Sequence, residues 1–404
     1  MLKRATRLLS LILLVSLVIS SCAPEPKGAL EQVLEHSKSF SQDIPAELTT
    51  FIARSQVNIL GEYHWVKQTH EFYGQIIPGL HQAGIRLVML EMPLAYSLVL
   101  DLYVTGQIID FPWEKTVLEK EPFRRVVEAI KELNQSLRDN DQPEEQIRLY
   151  AIDMDLHPLD SSYPALIRVL RREAGLAGSF FHYPQDNLKQ LDEGVVSGLS
   201  PELEQDLRWI SHKQIEAEDE VRPHLWQDRV DDFNLLPKIS EGRERILKEN
   251  AEYFIKKHHP DKALIIIGAA HATRQDELIS ADTKVLDTHS LGRRFVDAGY
   301  DVNSLKLLHR QFNLTGLPMT VTVDSKLKLT EGDLLLSLEE LYGDKRAWVD
   351  LRPLKEKPLP ATIEMLAPVQ LDKIDIDLAA NYDGLILLPS VDLLVPEYMQ
   401  DMLP

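Results

Sequence analysis

Hydrophobic positions along this chain fall into short runs that end in polar, chemically capable residues. Four such runs are Val57–Glu62, Leu87–Glu91, Ile147–Asp153 and Leu264–Gly268. Each is apolar for a few residues and closed by a turn signal, the pattern of a strand buried on both faces of a parallel sheet. Between the first two, Phe72, Ile76, Leu80 and Ala83 recur at helical spacing within His70–Ala83. A strand–helix–strand unit of this length implies parallel pairing.

The stretch from Asp110 to Asp139 also reads as helical, and a polar loop, Asp139–Glu145, leads into the third strand. Helical segments come next at Pro164–Ala174, Leu188–Arg222 and Arg229–Lys257, before the fourth strand. They predict a helical insertion between about Ser161 and Arg245, set beside the sheet rather than folded as a separate unit. Further strands are expected at Thr283–Leu286, Val302–Leu308, Ala347–Leu351 and Tyr382–Leu388, the last ending at Pro389. The expected fold class is α/β: a mostly parallel sheet flanked by helices, in one domain over residues 51–404, with no internal repeat.

The N-terminus does not fit this pattern. Lys3, Arg4 and Arg7 precede the apolar run Leu8–Ile19, and Ile19-Ser20-Ser21-Cys22 has the form of a bacterial lipobox. The expectation is a lipoprotein signal over residues 1–21, a lipidated Cys22 as the mature N-terminus, and a tether with a short helix (Ala29–Ser37) up to residue 50. Cys22 is the only cysteine, so disulfides play no part in stability. Ala23 after the cysteine favours an outer-membrane location facing the periplasm, in the cell envelope and held by the lipid. With 44 basic and 63 acidic residues the formal charge is −19. No basic stripe with interleaved aromatics is present, so nucleic acid is not an expected partner.

Ligands of parallel α/β sheets bind beyond the carboxyl ends of the strands. If the four strands lie together, Glu62, His64, Glu91, Asp153 and His271 share one rim. His70 and Glu71, at a helix start, are further cleft candidates. Glu62 could orient His64 as a general base or a metal ligand, or the segment could be a polar loop. Glu91 could be a partner of a cation or a site carboxylate. His271, in Gly268-Ala269-Ala270-His271, could be a site residue or a histidine satisfied in a tight turn. Asp153 is assigned to the rim and Asp155, near His157, to a helix cap. The pair His258-His259 reads as surface. There is no G-x-S-x-G elbow, H-E-x-x-H or phosphate-binding glycine loop. What remains is water activation by His and Glu, with or without a metal, or ligand binding in the same cleft.

The segments LGEYHWVKQTHEFY, VMLEMP, RERILKENAEYF, IIIGAAHA and YDGLILLP, in this order, resemble the erythromycin esterase/ChaN/TraB–Tiki superfamily, over roughly Asn58 to Pro389. The resemblance implies catalytic roles for Glu62, His64, Glu91 and His271. Arg243 matches an arginine of the esterase branch, with Glu244 where Asp is usual. One residue fewer separates Glu62 from His64 than in esterases, a spacing closer to ChaN-like and Tiki-like members. Tiki-like members imply a divalent metal held by His64, His271 and Glu91. ChaN-like members imply haem or iron uptake without turnover, with Tyr63 as the nearest candidate haem ligand. The leading expectation is a hydrolase of an ester or amide bond in a small-molecule or peptide substrate, in which His64 activates water and Arg243 stabilises developing negative charge.

Overall fold

A computed structural model describes residues 27–64, 66–109, 111, 113, 122–154, 184–195, 200–221, 236–275, 277–281, 284–315, 321–366 and 371–394. The leader, Cys22, the helix expected at Pro164–Ala174, Asp155 and His157 lie outside the described residues.

In chain order the strands are β1 (Ser37–Phe40), β2 (Val57–Glu62), β3 (Ile85–Pro93), β4 (Arg148–Asp153), β5 (Lys262–Gly268), β6 (Glu277–Ala281), β7 (Lys284–Thr288), β8 (Val302–Thr315), β9 (Val321–Asp324), β10 (Lys326–Leu329), β11 (Gly332–Asp333), β12 (Arg346–Asp350), β13 (Pro360–Leu366), β14 (Leu371–Asp377) and β15 (Gly384–Leu394). The helices are α1 (Ala29–Glu35), α2 (Ala46–Ile52), α3 (Lys67–Gln82), α4 (Ser97–Val104), α5 (Pro122–Asp139), α6 (Pro184–Asp192), α7 (Pro201–Glu220), α8 (Leu236–His258), α9 (Leu291–Asp297), α10 (Leu334–Tyr342) and α11 (Leu378–Asn381).

Among the described residues nine strands form the main sheet, in the order β1-β12-β15-β8-β2-β5-β3-β4, with β9 added to β8. The pairings from β15 across to β4 are all parallel, whereas β1–β12, β12–β15 and β8–β9 are antiparallel. The fold is thus α/β with a mostly parallel sheet. β2 is buried at every position and β5 at all but its first, because interior strands of a parallel sheet are covered on both faces. The four strands that carry the sequence motifs, β2, β5, β3 and β4, are consecutive neighbours, so their carboxyl ends share one edge.

On α3, Phe72, Ile76 and Leu80 are buried against the sheet, as their spacing implies. On α8, Leu247, Asn250 and Phe254 are buried along one face. Phe254 stacks on Tyr150 of β4 with ring centroids 3.9 Å apart, and Asn250 Nδ2 donates to the Ile152 carbonyl at 2.9 Å. Arg243 lies one turn before Leu247 on that face, so the contacts that seat α8 on β4 also aim Arg243 past the end of the strand. The described segments between β4 and β5 are helical, but α8 is continuous through Arg245. The expected end of the insertion therefore falls inside a helix that belongs to the sheet.

The strand expected to stop at Pro389 runs on to Leu394. β12 reaches only to Leu387 of β15, and Pro389 is skipped in the pairing with β8. Beyond Leu387 one flank of β15 is free of β12, where a residue without an N–H is tolerated. A second sheet, β11-β10-β13-β14, is antiparallel throughout and was not expected. Its signal was present: Lys326-Leu327-Lys328-Leu329 alternates strictly, and Leu327 and Leu329 are the buried pair. Ser37, expected at the end of a helix, begins edge strand β1. Among the described residues no helix is long and apolar enough to cross a membrane.

Candidate active site

Two glycines allow the strand ends to close on one another. A Cβ at Gly61 would lie 2.8 Å from the Ala272 Cβ and 3.0 Å from the Ala269 Cα. The single helical turn Ala269–Ala272, which carries His271, therefore sits directly against β2. A Cβ at Gly268 would meet His64 Nε2 at 3.0 Å and Glu91 Oε2 at 3.2 Å. Only a residue without a side chain lets the imidazole, the carboxylate and the backbone of β5 meet there.

Glu91 is the hub. Its Oε1 accepts from Arg243 Nη2 at 2.5 Å and lies 3.4 Å from His271 Nε2. Its Oε2 accepts from the Gly268 backbone N–H at 2.5 Å and lies 3.4 Å from His64 Nε2. Arg243 also grips Asp153 with two nitrogens, Nε to Oδ1 at 3.0 Å and Nη2 to Oδ2 at 2.6 Å. Burial opposes the ionised form of Glu91, but His271, then His64 and Arg243, overcome it and hold the carboxyl well below its ordinary range. Burial likewise opposes charge on Arg243, and Asp153 and Glu91 more than restore it. Charges this deep persist only because each is paired and hydrogen-bonded.

His271 is enclosed on both nitrogens. Nδ1 bonds to Glu244, the residue after Arg243 on α8, while Nε2 faces Glu91 and Arg243 Nη1, each at 3.4 Å. Burial pulls its pKa down, but Glu244 and Glu91 raise it to about 10. It is an imidazolium at neutral pH.

His64 is the open member. Its side chain is 33% exposed, against 6% for Glu91 and 1% for Glu62. Nδ1 lies 3.3 Å from Glu62 Oε1. Burial lowers its pKa and the hydrogen bond to Glu62 with the charge of Glu91 raises it, for a net rise. His70 is wholly buried behind Glu62.

The structure thus brings together Glu62, His64, Glu91, Asp153, Arg243 and His271. Glu71 is not among them. It is turned about 100° around α3 from His70 and reaches Arg125 of α5 at 4.0 Å, so its place as a cleft candidate is corrected. Among the described residues no group of three His, Cys, Asp or Glu side chains is arranged to hold a metal. The cation at the centre is the Arg243 guanidinium, and His271 has neither nitrogen available as a ligand. Tyr63 packs into an aromatic group on β8, with ring centroids 5.7 Å from both His309 and Phe312. His258 is not a free surface residue: its Nε2 bonds the Tyr150 hydroxyl at 2.8 Å. Sequence reasoning missed Glu244 as a site residue. Its signal was adjacency to Arg243, since consecutive residues of a helix, about 100° apart, can reach two different partners.

The chain superposes on a structural-genomics target from Bacillus cereus with a TM-score of 0.60, at 13% identity, covering 91% of this chain and 98% of the other. A succinoglycan biosynthesis protein gives a TM-score of 0.60 at 15% identity, covering 90% and 97%. A histidine-to-asparagine mutant of the erythromycin esterase EreC, in its open conformation, gives 0.53 at 11% identity, covering 89% and 98%. The chain has the erythromycin esterase fold. No family model matches the chain, and no curated protein matches it by sequence. The likeness to the esterase extends over almost the whole of that protein.

Proposed function

We propose that this protein is a hydrolase that cleaves an ester or amide bond by water activation at His64. The observation that carries the reading is the one-third exposed His64 imidazole, held at Nδ1 by buried Glu62 while its Nε2 lies 3.4 Å from Glu91 Oε2. Tautomers are set by hydrogen-bond partners. A carboxylate at Nδ1 fixes the proton there and leaves Nε2 to take one from water. Glu91, 3.4 Å away, then faces the imidazolium that forms. The arrangement has the logic of a histidine oriented by a carboxylate, with water in place of a serine nucleophile.

Arg243 is better suited to holding Glu91 and Asp153 than to binding a developing oxyanion, because its Nε and Nη2 are committed to those carboxylates. The donor set supports a metal-independent reaction. The lipobox at Cys22 supports a lipid-anchored place in the bacterial cell envelope. The test is turnover of a panel of esters, lactones and peptide amides by the purified protein, with and without a chelator. Hydrolysis that survives the chelator and is lost in His64→Ala is the expected result. Full activity in His64→Ala, or no turnover by the wild type on any substrate, would overturn the reading. A Soret band on adding haem would redirect it to haem uptake.

A further inference from the structure

Glu62 has a second imidazole beside it. His70 Nε2 lies 3.8 Å from Glu62 Oε1, the same oxygen that faces His64 Nδ1. His70 is 0% exposed and Glu62 2%. Tyr73, one turn further along α3, packs edge-on against His70 with ring centroids 5.6 Å apart. The groups that face Glu62 are therefore His64 from the loop after β2, and His70 and Tyr73 from α3. Those that face His64 are Glu62, Glu91 from β3 and His271 from the turn after β5.

A buried carboxylate needs donors around it, and a second buried cation there would be costly. We infer that His70 is a positioning residue, a neutral imidazole that carries its proton on Nε2, directs it at Glu62 Oε1 and keeps that carboxylate aligned on His64. The inference rests on the His64 reaction proposed above. Neutrality agrees with the electrostatics. Burial lowers the His70 pKa, Glu62 raises it less, and His64 lowers it further. Burial, with the charge of Glu62, also pushes the Tyr73 phenol well above its ordinary value, so Tyr73 stays protonated. At 3.8 Å the His70 contact is longer than a closed hydrogen bond. Contacts of this kind tighten as charge develops during turnover.

The test is a long-range 1H–15N spectrum of the full-length protein carrying 15N-histidine, at pH 7, combined with kinetics of two variants. The expected spectrum shows His70 neutral with its proton on Nε2. His70→Gln places an amide N–H near the same point and should keep most of the rate. His70→Phe fills the space without a donor and should lower kcat by about tenfold or more with KM unchanged. A proton on Nδ1, a doubly protonated His70, or wild-type kcat in His70→Phe would overturn the inference. If no wild-type turnover is found, the hydrolase reading falls, and the spectrum still decides the state of His70 by itself. Should His70→Phe fail to fold, the spectrum and His70→Gln carry the decision.

Discussion

Arg243 Nη2 donates at once to Glu91 Oε1 at 2.5 Å and to Asp153 Oδ2 at 2.6 Å. One nitrogen on α8 thereby ties the carboxyl ends of β3 and β4 together. Arg243→Ala would leave two buried carboxylates without their cation, and is expected to destabilise the fold by about 3–5 kcal/mol. Arg243→Lys keeps the charge but not the planar fork, and should lie in between. Urea unfolding, read as the midpoint at unchanged slope, checks both. A stability equal to wild type in Arg243→Ala would show that the tie carries no weight.

His64→Ala is expected to do the opposite. The side chain is one-third exposed, so stability should change by less than about 1 kcal/mol. Turnover should fall by about a hundredfold or more, the contribution of a positioned general base. Comparing melting temperature with kcat/KM separates the two effects.

The pH dependence of turnover is set by the same imidazole. His64 must be neutral to accept a proton, and its pKa is raised from 6.5. The rate should climb with pH, and the acid limb of kcat/KM should lie above pH 6.5. In Glu62→Gln the raising hydrogen bond loses its charge, so the limb should move to lower pH while the maximal rate drops. A limb unmoved in that variant would contradict the pairing of Glu62 with His64.

Stability should fall away on both sides of neutrality. The folded-state pKa of His271 is raised from 6.5 to about 10. Its contribution is fully present below pH 6.5 and is lost as pH rises towards 10. Glu91 has a folded-state pKa lowered from 4.5. Its contribution is present above pH 4.5 and is lost as pH falls below it. Denaturant midpoints measured across this range should decline at both ends, and Glu244→Gln should flatten the alkaline decline.

Gly268→Ala tests how closely the site is packed. The added methyl would press on His64 Nε2 at 3.0 Å and Glu91 Oε2 at 3.2 Å. Displacing the imidazole by a fraction of an ångström should cost up to about a hundredfold in kcat, with a smaller effect on the melting temperature. Unchanged kcat would mean that the two side chains can move apart without consequence.

The sequence by itself determined the strands of the parallel half and the residues at their ends. Unbroken apolar runs such as Leu264–Ile267 have one stable home, an interior strand covered on both faces. Parallel strands deliver the residues at their carboxyl ends, Glu91 and His271 among them, to one edge. The helical face of α3 was equally legible, since Phe72, Ile76 and Leu80 could be buried only together. Short alternating strands were harder to read. Lys326–Leu329 is no longer than one side of a turn, and its pairing with β13 depends on a segment more than thirty residues away.

Only the tertiary structure decided the order β2-β5-β3-β4, which makes neighbours of residues from four distant segments. It also decided the division of labour. His64 and His271 look alike in sequence, each an imidazole two or three residues past a strand. Burial between Glu244 and Glu91 makes one a fixed cation, while exposure beside Glu62 leaves the other able to exchange a proton. Local sequence sets which groups can ionise. Which of them do is set by desolvation and by the charges that folding brings within a few ångströms, and those distances exist only in the assembled sheet.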